Sequence, residues 1–141
     1  MNIGNYLLVT ILIILQSSCM ENKSREDLLA GDNYKYWLYS NSDKRSMTKF
    51  IYYFDRTGKW IVFSRSVNGE IFKYKASDLL LIPSWSFIND SIVEIGGAHY
   101  SIIDLNDSIF KYVDKNQTVQ SLLHVPDSLM PINFRKKYSD E

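Results

Sequence analysis

From Tyr34 to Val125 the chain is a succession of short β-branched and aromatic runs, each soon ended by turn residues. No long segment of 3.6-residue periodicity competes with that rhythm, so it dictates short strands joined as hairpins. The runs predict strands at Tyr34–Ser40, Thr48–Phe54, Lys59–Arg65, Glu70–Lys75, Ser84–Ile88, Ser91–Ile95, His99–Leu105, Ser108–Val113 and Thr118–Val125. Asp55-Arg56-Thr57-Gly58 closes one hairpin with Gly58 at positive φ. Asn68-Gly69 is the strongest two-residue turn signal, since both residues tolerate the left-handed conformation of a type I′ turn. Gly96-Gly97 serves the same purpose, and Asn89-Asp90 and Asn106-Asp107 are further two-residue loops. Ile88–Ile95 repeats as Leu105–Tyr112 at an offset of 17 residues, which two successive hairpins explain better than a solenoid. The stretch Ala76–Pro83 breaks the rhythm, as a short helix capped by Ser77 or as a buried connection.

Strands of this kind predict an all-β fold, an antiparallel up-and-down meander closing into a small barrel, which removes exposed edges. A β-sandwich is the structural alternative. Alternation places Phe50, Tyr52 and Phe54 on one face of the second strand and Ile51 and Tyr53 on the other. In the third, Trp60 and Val62 oppose Ile61 and Phe63. A half-wet strand shows one polar face; here both faces are apolar and both need cover. One lines the barrel interior. The other packs on the 76–83 connection, the C-terminal tail or a partner.

The N-terminus carries an address. Tyr6 to Leu15 is an apolar or weakly polar run of ten residues, followed by Gln16-Ser17-Ser18-Cys19. The run is too short for a hydrocarbon core that needs about 20 residues and suits a signal h-region. It resembles a bacterial lipoprotein signal peptide, which implies cleavage after residue 18 and acylation of Cys19. Gln16 stands where such signals usually place Leu, and no Lys or Arg precedes the run. An ordinary secretory signal and an uncleaved N-terminal anchor are the alternatives. The expected organisation is signal peptide 1–18, acylated Cys19 and polar tether 19–33, β-barrel domain 34–125 and tail 126–141. One helical turn is expected at Asp27–Ala30, before Gly31.

Composition narrows the partners. Taking 18 residues from 141 leaves 123, enough for one domain with its own core. Sixteen Lys and Arg balance sixteen Asp and Glu, which argues against nucleic acid, whose phosphates call for a basic excess. A single cysteine leaves no intramolecular disulfide, so apolar burial and strand pairing hold the fold.

Several runs together resemble the small lipocalin-like lipoproteins of Bacteroidetes. They are Phe54-Asp55-Arg56-Thr57-Gly58-Lys59-Trp60, Trp85-Ser86-Phe87, Ile92–Ile95, Tyr100–Leu105 and Ile109–Tyr112. The similarity covers roughly residues 34–125. It implies a lipocalin-like barrel lipidated at Cys19 with palmitate-type chains and held at the bacterial cell envelope, on the outer membrane. Gly58-Lys59-Trp60 matches the lipocalin Gly-x-Trp letters, although an earlier strand precedes it.

The inward face then predicts an apolar ligand cavity built from Tyr52, Trp60, Trp85 and Tyr100, the alternative being a filled core. The expected activity is binding of a small apolar ligand by a lipid-anchored protein that is not an enzyme. The alternative is a solid interaction module docking on another envelope protein through whichever of Tyr53, Ile61 and Phe63 is exposed. His99 and His124 lack partners at metal-ligand spacing and read as sheet-face histidines. Glu94 and Asp104 lie on different strands as solvated carboxylates. No nucleophile–base pattern, phosphate loop or metal motif is recognisable, and no cofactor is expected. The Asn-x-Ser/Thr triplets at Asn22, Asn89, Asn106 and Asn116 read as turn chemistry.

Overall fold

The structure, a computed structural model, describes residues 23–40, 49–74, 82–131 and 134. Nine strands follow one short helix: α1 (Arg25–Ala30), β1 (Tyr34–Tyr39), β2 (Lys49–Asp55), β3 (Trp60–Arg65), β4 (Ile71–Lys73), β5 (Trp85–Asn89), β6 (Ile92–Ile95), β7 (Ala98–Leu105), β8 (Ile109–Val113) and β9 (Val119–Val125). A 3-10 turn at Asp127–Leu129 follows. Cys19, the signal run and most of the 76–83 connection lie outside the described residues.

All nine strands form one antiparallel sheet in the order β4-β3-β2-β1-β9-β8-β7-β6-β5. Consecutive strands therefore lie side by side except β4 and β5, and β9 returns to pair with β1, Leu38 opposite Leu123. The predicted meander is present, curled into a half-barrel whose sheet begins and ends at a seam between β4 and β5. Among the described residues, one isolated bridge crosses from β3 to the start of β5, Lys59 opposite Ser84. The Trp85 N–H donates to the Gly58 carbonyl at 2.7 Å and the Trp60 N–H to the Pro83 carbonyl at 3.1 Å.

The turns follow local chemistry, with corrections. Gly96 and Gly97 both take positive φ, 63° and 80°, as a type I′ turn requires. At Asn68-Gly69 only Gly69 does, and the loop is one residue longer than expected. The Ser66 N–H donates to the Glu70 carbonyl, and the Gly69 N–H returns to Ser66. Asp55–Lys59 and Asp114–Thr118 are built alike, with Gly58 and Gln117 in the left-handed position. At the two Asn-Asp turns the loop slides one residue on. Asn89 and Asn106 stay on the strand side and accept the N–H of Ser91 and Ser108 in Asx turns.

Both faces of β1–β3 are buried, and by different partners. Inside the curl, Trp37, Phe54, Val93, Phe110 and Leu122 are fully buried, with Trp60, Trp85, Ile95 and Tyr112 around them. Outside, Tyr36, Ile51, Tyr53, Ile61 and Phe63 pack beneath Met130 and Phe134 of the C-terminal segment. The tail is therefore the cover for the second apolar face. α1 lies within the stretch read as a tether, yet it enters the core. Ser24 and Asp27 cap it reciprocally, and Leu29 and Ala30 are buried among the inner aromatics. Trp37 donates its indole N–H to the Leu29 carbonyl at 2.8 Å. Three turns gather on α1: Asp27 pairs with Arg56, Arg25 with Asp90, and Lys23 with Asp107. α1 thus closes one end of the half-barrel.

Candidate functional site

Tyr52, Trp60, Trp85 and Tyr100 all belong to the inner cluster, as alternation predicts. They divide into two pairs with different work. Trp60 and Trp85 stand at the seam. The Trp60 indole donates to the Ile82 carbonyl at 2.7 Å, and the Trp85 indole to the Asp55 carbonyl at 3.0 Å. Both side chains are nearly buried, and their polar handles are spent on backbone. Trp85 also meets Phe54 and Phe87 edge-on. They join the two margins of the sheet.

Tyr52 and Tyr100 lie nearer the end away from α1 and are only partly buried. Tyr52 stacks on Trp60 with ring centroids 6.1 Å apart and planes 13° from parallel. Tyr39 tilts against Tyr52 at 6.3 Å, and Tyr100 meets Tyr112 edge-on at 5.0 Å. The Tyr39 hydroxyl donates to Gln120, whose amide donates to Asp114 at 2.8 Å. Sequence reading missed Tyr39, Tyr112 and Gln120. The period-two signal was present, because Tyr39 and Tyr112 lie two residues after Trp37 and Phe110, and Gln120 two residues before Leu122, on their strands.

The electrostatics of this end are those of neutral donors. Burial pushes Tyr52 up to about 12, helped by the neighbouring Tyr39, Tyr100 and Tyr74. Burial also raises Tyr112 and Tyr100, with Asp114 adding to the shift at both. Each phenol stays protonated at neutral pH. Asp114 is held below the usual carboxylate range by the Thr118 N–H and the Gln120 amide. No charged side chain is buried among the described residues. The arrangement offers aromatic faces and hydroxyl donors, which suits an uncharged ligand bearing hydrogen-bond acceptors.

The remaining candidates go elsewhere. His99 pairs with Glu94 at 3.0 Å on the outer surface. Asp104 accepts from Asn106 rather than approaching Glu94. His124 lies against Trp37, ring centroids 5.8 Å apart, and lines a cleft of about 530 Å³ beside α1 with Lys23, Lys35, Asp27 and Asp107. Those charged side chains of the cleft are paired internally. Lys35 donates to the Leu28 carbonyl at 2.9 Å and to Asp107 at 3.3 Å, and Lys23 meets both oxygens of Asp107. No three potential metal ligands gather among the described residues. Comparison with protein-family models, with curated proteins and with solved structures gives no match.

Proposed function

We propose that this chain is an exported lipoprotein, acylated on Cys19, whose half-barrel holds a small apolar ligand at the end lined by Tyr39, Tyr52, Tyr100 and Tyr112. The observation that carries the reading is the change in burial along the curl. Beside α1 the interior is packed solid by Trp37, Phe110 and Leu122, whereas Tyr39, Tyr52 and Tyr100 keep part of their surface open. An apolar body would cover the rings, and any carbonyl or ether oxygen it carries would accept from the phenols of Tyr52 and Tyr100, the Tyr39 hydroxyl being donated to Gln120. Binding needs no enzyme chemistry. Its place is the cell envelope, on the outer membrane, as the resemblance to lipocalin-like lipoproteins implies.

The alternative is a docking module for another envelope protein. Its first candidate surface, Tyr53, Ile61 and Phe63, is already occupied by Met130 and Phe134. Another candidate is the outer side of β7–β9, where Ile103, Val119 and Leu123 are exposed.

Native mass spectrometry of the chain, purified gently from membranes, separates the readings. Ligand binding predicts a reproducible extra mass, beyond that of the acyl chains, released on denaturation and absent from Tyr52→Ala and Tyr100→Ala. Tryptophan variants are the wrong probe, since losing a seam contact disturbs the fold itself. A clean apo mass, with pull-down lost on Ile103→Asp, would replace the first reading by the second.

A further inference from the structure

The lipoprotein reading fixes which end of the half-barrel can meet the membrane. Lys23 is held by both oxygens of Asp107 at 2.8 Å, in the turn between β7 and β8. Cys19 stands four residues earlier, and four residues at full extension span about 14 Å. The six residues of β3 alone rise about 20 Å. Strand tilt of about 35–45° shortens that height, while α1 adds a layer about 10 Å thick. An inverted half-barrel would therefore lift Lys23 out of reach of its own anchor.

The far rim makes this a real choice. There Lys49 and Arg65 stand directly opposite one another across β2 and β3. Val67, in the adjoining turn, is 78% exposed, and Phe72 and Tyr74 are also exposed. Cations beside exposed apolar side chains are what an anionic lipid surface attracts. At the α1 end, by contrast, Arg25, Arg56, Lys23 and Lys35 are matched to Asp90, Asp27 and Asp107. Charge alone would turn the far rim to the bilayer, and the tether forbids it.

We propose that the half-barrel meets the bilayer with its α1 end and holds its tyrosine-lined end toward the aqueous compartment. The inference rests on acylation at Cys19. It names the source of the ligand: a molecule delivered through water, not one drawn sideways out of the bilayer.

The test uses the full chain, processed in a bacterial host and reconstituted into phosphatidylcholine vesicles carrying a headgroup-attached nitroxide quencher. Maleimide fluorophores are placed singly on Ser108→Cys at the α1 end and on Val67→Cys and Lys115→Cys at the far end, all in exposed turns. Quenching should be several-fold stronger at position 108 than at 67 or 115, and should keep that order in high salt. Equal or reversed quenching overturns the orientation. So does reversal on adding phosphatidylglycerol, which would make the Lys49–Arg65 rim the lipid-facing surface. The unsubstituted chain keeps the two failures apart. Dye uptake by it, or an intact mass without added acyl chains, would remove the acylation reading and the inference with it; a mass showing acylated Cys19 together with an inverted gradient removes the orientation alone.

Discussion

The indole N–H of Trp85 donates to the main-chain carbonyl of Asp55 at 3.0 Å, tying the first residue of β5 to the last residue of β2 across thirty positions of sequence. The contact ties the β5 edge to the β2–β3 hairpin where the strand ladder is interrupted. Next to it the Trp60 indole reaches the Ile82 carbonyl, and the ring of Trp60 lies under Gly96, where a Cβ would come within 2.9 Å of Cζ2. Two side chains and one missing side chain hold the curl.

Trp85→Phe keeps most of the apolar ring and removes the donor. The Asp55 carbonyl then keeps the Gly58 N–H at 3.2 Å but loses the indole, at a cost of about 0.5–1.5 kcal/mol. Urea denaturation should show a lower midpoint, and exchange of the Trp60 amide, which crosses the seam to Pro83, should accelerate more than that of amides in β8. Uniform acceleration of both would mean that Trp85 acts only as core mass.

Gln117 occupies the left-handed position of its hairpin at φ 60°, where the sister turns carry Gly58 and Gly69. A side chain there costs about 1–2 kcal/mol, partly offset by the extra freedom glycine gains in the unfolded chain, about 0.4–1 kcal/mol. Gln117→Gly should therefore raise stability by about 0.5–1 kcal/mol. Thermal and urea midpoints measure it directly, and a fall in either would contradict the strain assignment.

How far the sequence reaches is visible in these same residues. Period-two alternation separates Tyr52 and Trp60 from Tyr53 and Ile61 correctly, because successive side chains of a strand point to opposite faces; the pairing register was not legible, since with both faces apolar a one-residue slip would exchange one apolar face for the other. The glycines and Asx residues mark where each hairpin turns. They do not fix loop length, which depends on whether Asn89 and Asn106 spend their side chains in the strand or in the loop. The roles of Trp60 and Trp85 were out of reach for a different reason. A tryptophan inside a barrel reads as ligand wall until the carbonyl that takes its N–H is known, and Asp55 and Ile82 are distant in sequence. The helical turn at Asp27–Ala30 was legible and is the C-terminal part of α1, but its docking into the core was hidden by its polarity, since Leu29 and Ala30 are its only buried residues.

His124 supplies a pH signature. Burial lowers its pKa below the usual 6.5, with the nearby Lys35 adding to the effect and Asp127 and Asp107 opposing it. The folded chain therefore resists protonation more than the unfolded chain does. Stability is complete above pH 6.5 and declines as pH falls from there through the lower folded value. Asp27, Asp107 and Asp114 are held below the ordinary 3.8, so the stability they bring is present above that value and lost only in stronger acid. Urea midpoints between pH 7 and 5 should fall in the parent and stay flatter in His124→Gln. Parallel profiles would place the titration elsewhere.

Phe134 is the keystone of the outer cluster. It is 8% exposed, meets Phe63 edge-on at 4.5 Å and tilts against Tyr36 at 5.7 Å. Truncating a buried phenylalanine costs about 3–5 kcal/mol when the cavity stays dry. At the molecular surface water can enter, so the lower end of that range applies to Phe134→Ala. The consequence differs in kind from a core deletion, because Tyr36, Ile61 and Phe63 would then face solvent on the outside of an intact sheet. The variant should lose stability, bind the apolar dye ANS and self-associate with rising concentration, while the inner hydrogen bond from Trp37 to Leu29 keeps its slow exchange. If the Trp37 indole exchanges as fast as the outer amides, the two apolar faces form one cooperative unit and the tail is part of the barrel's own stability.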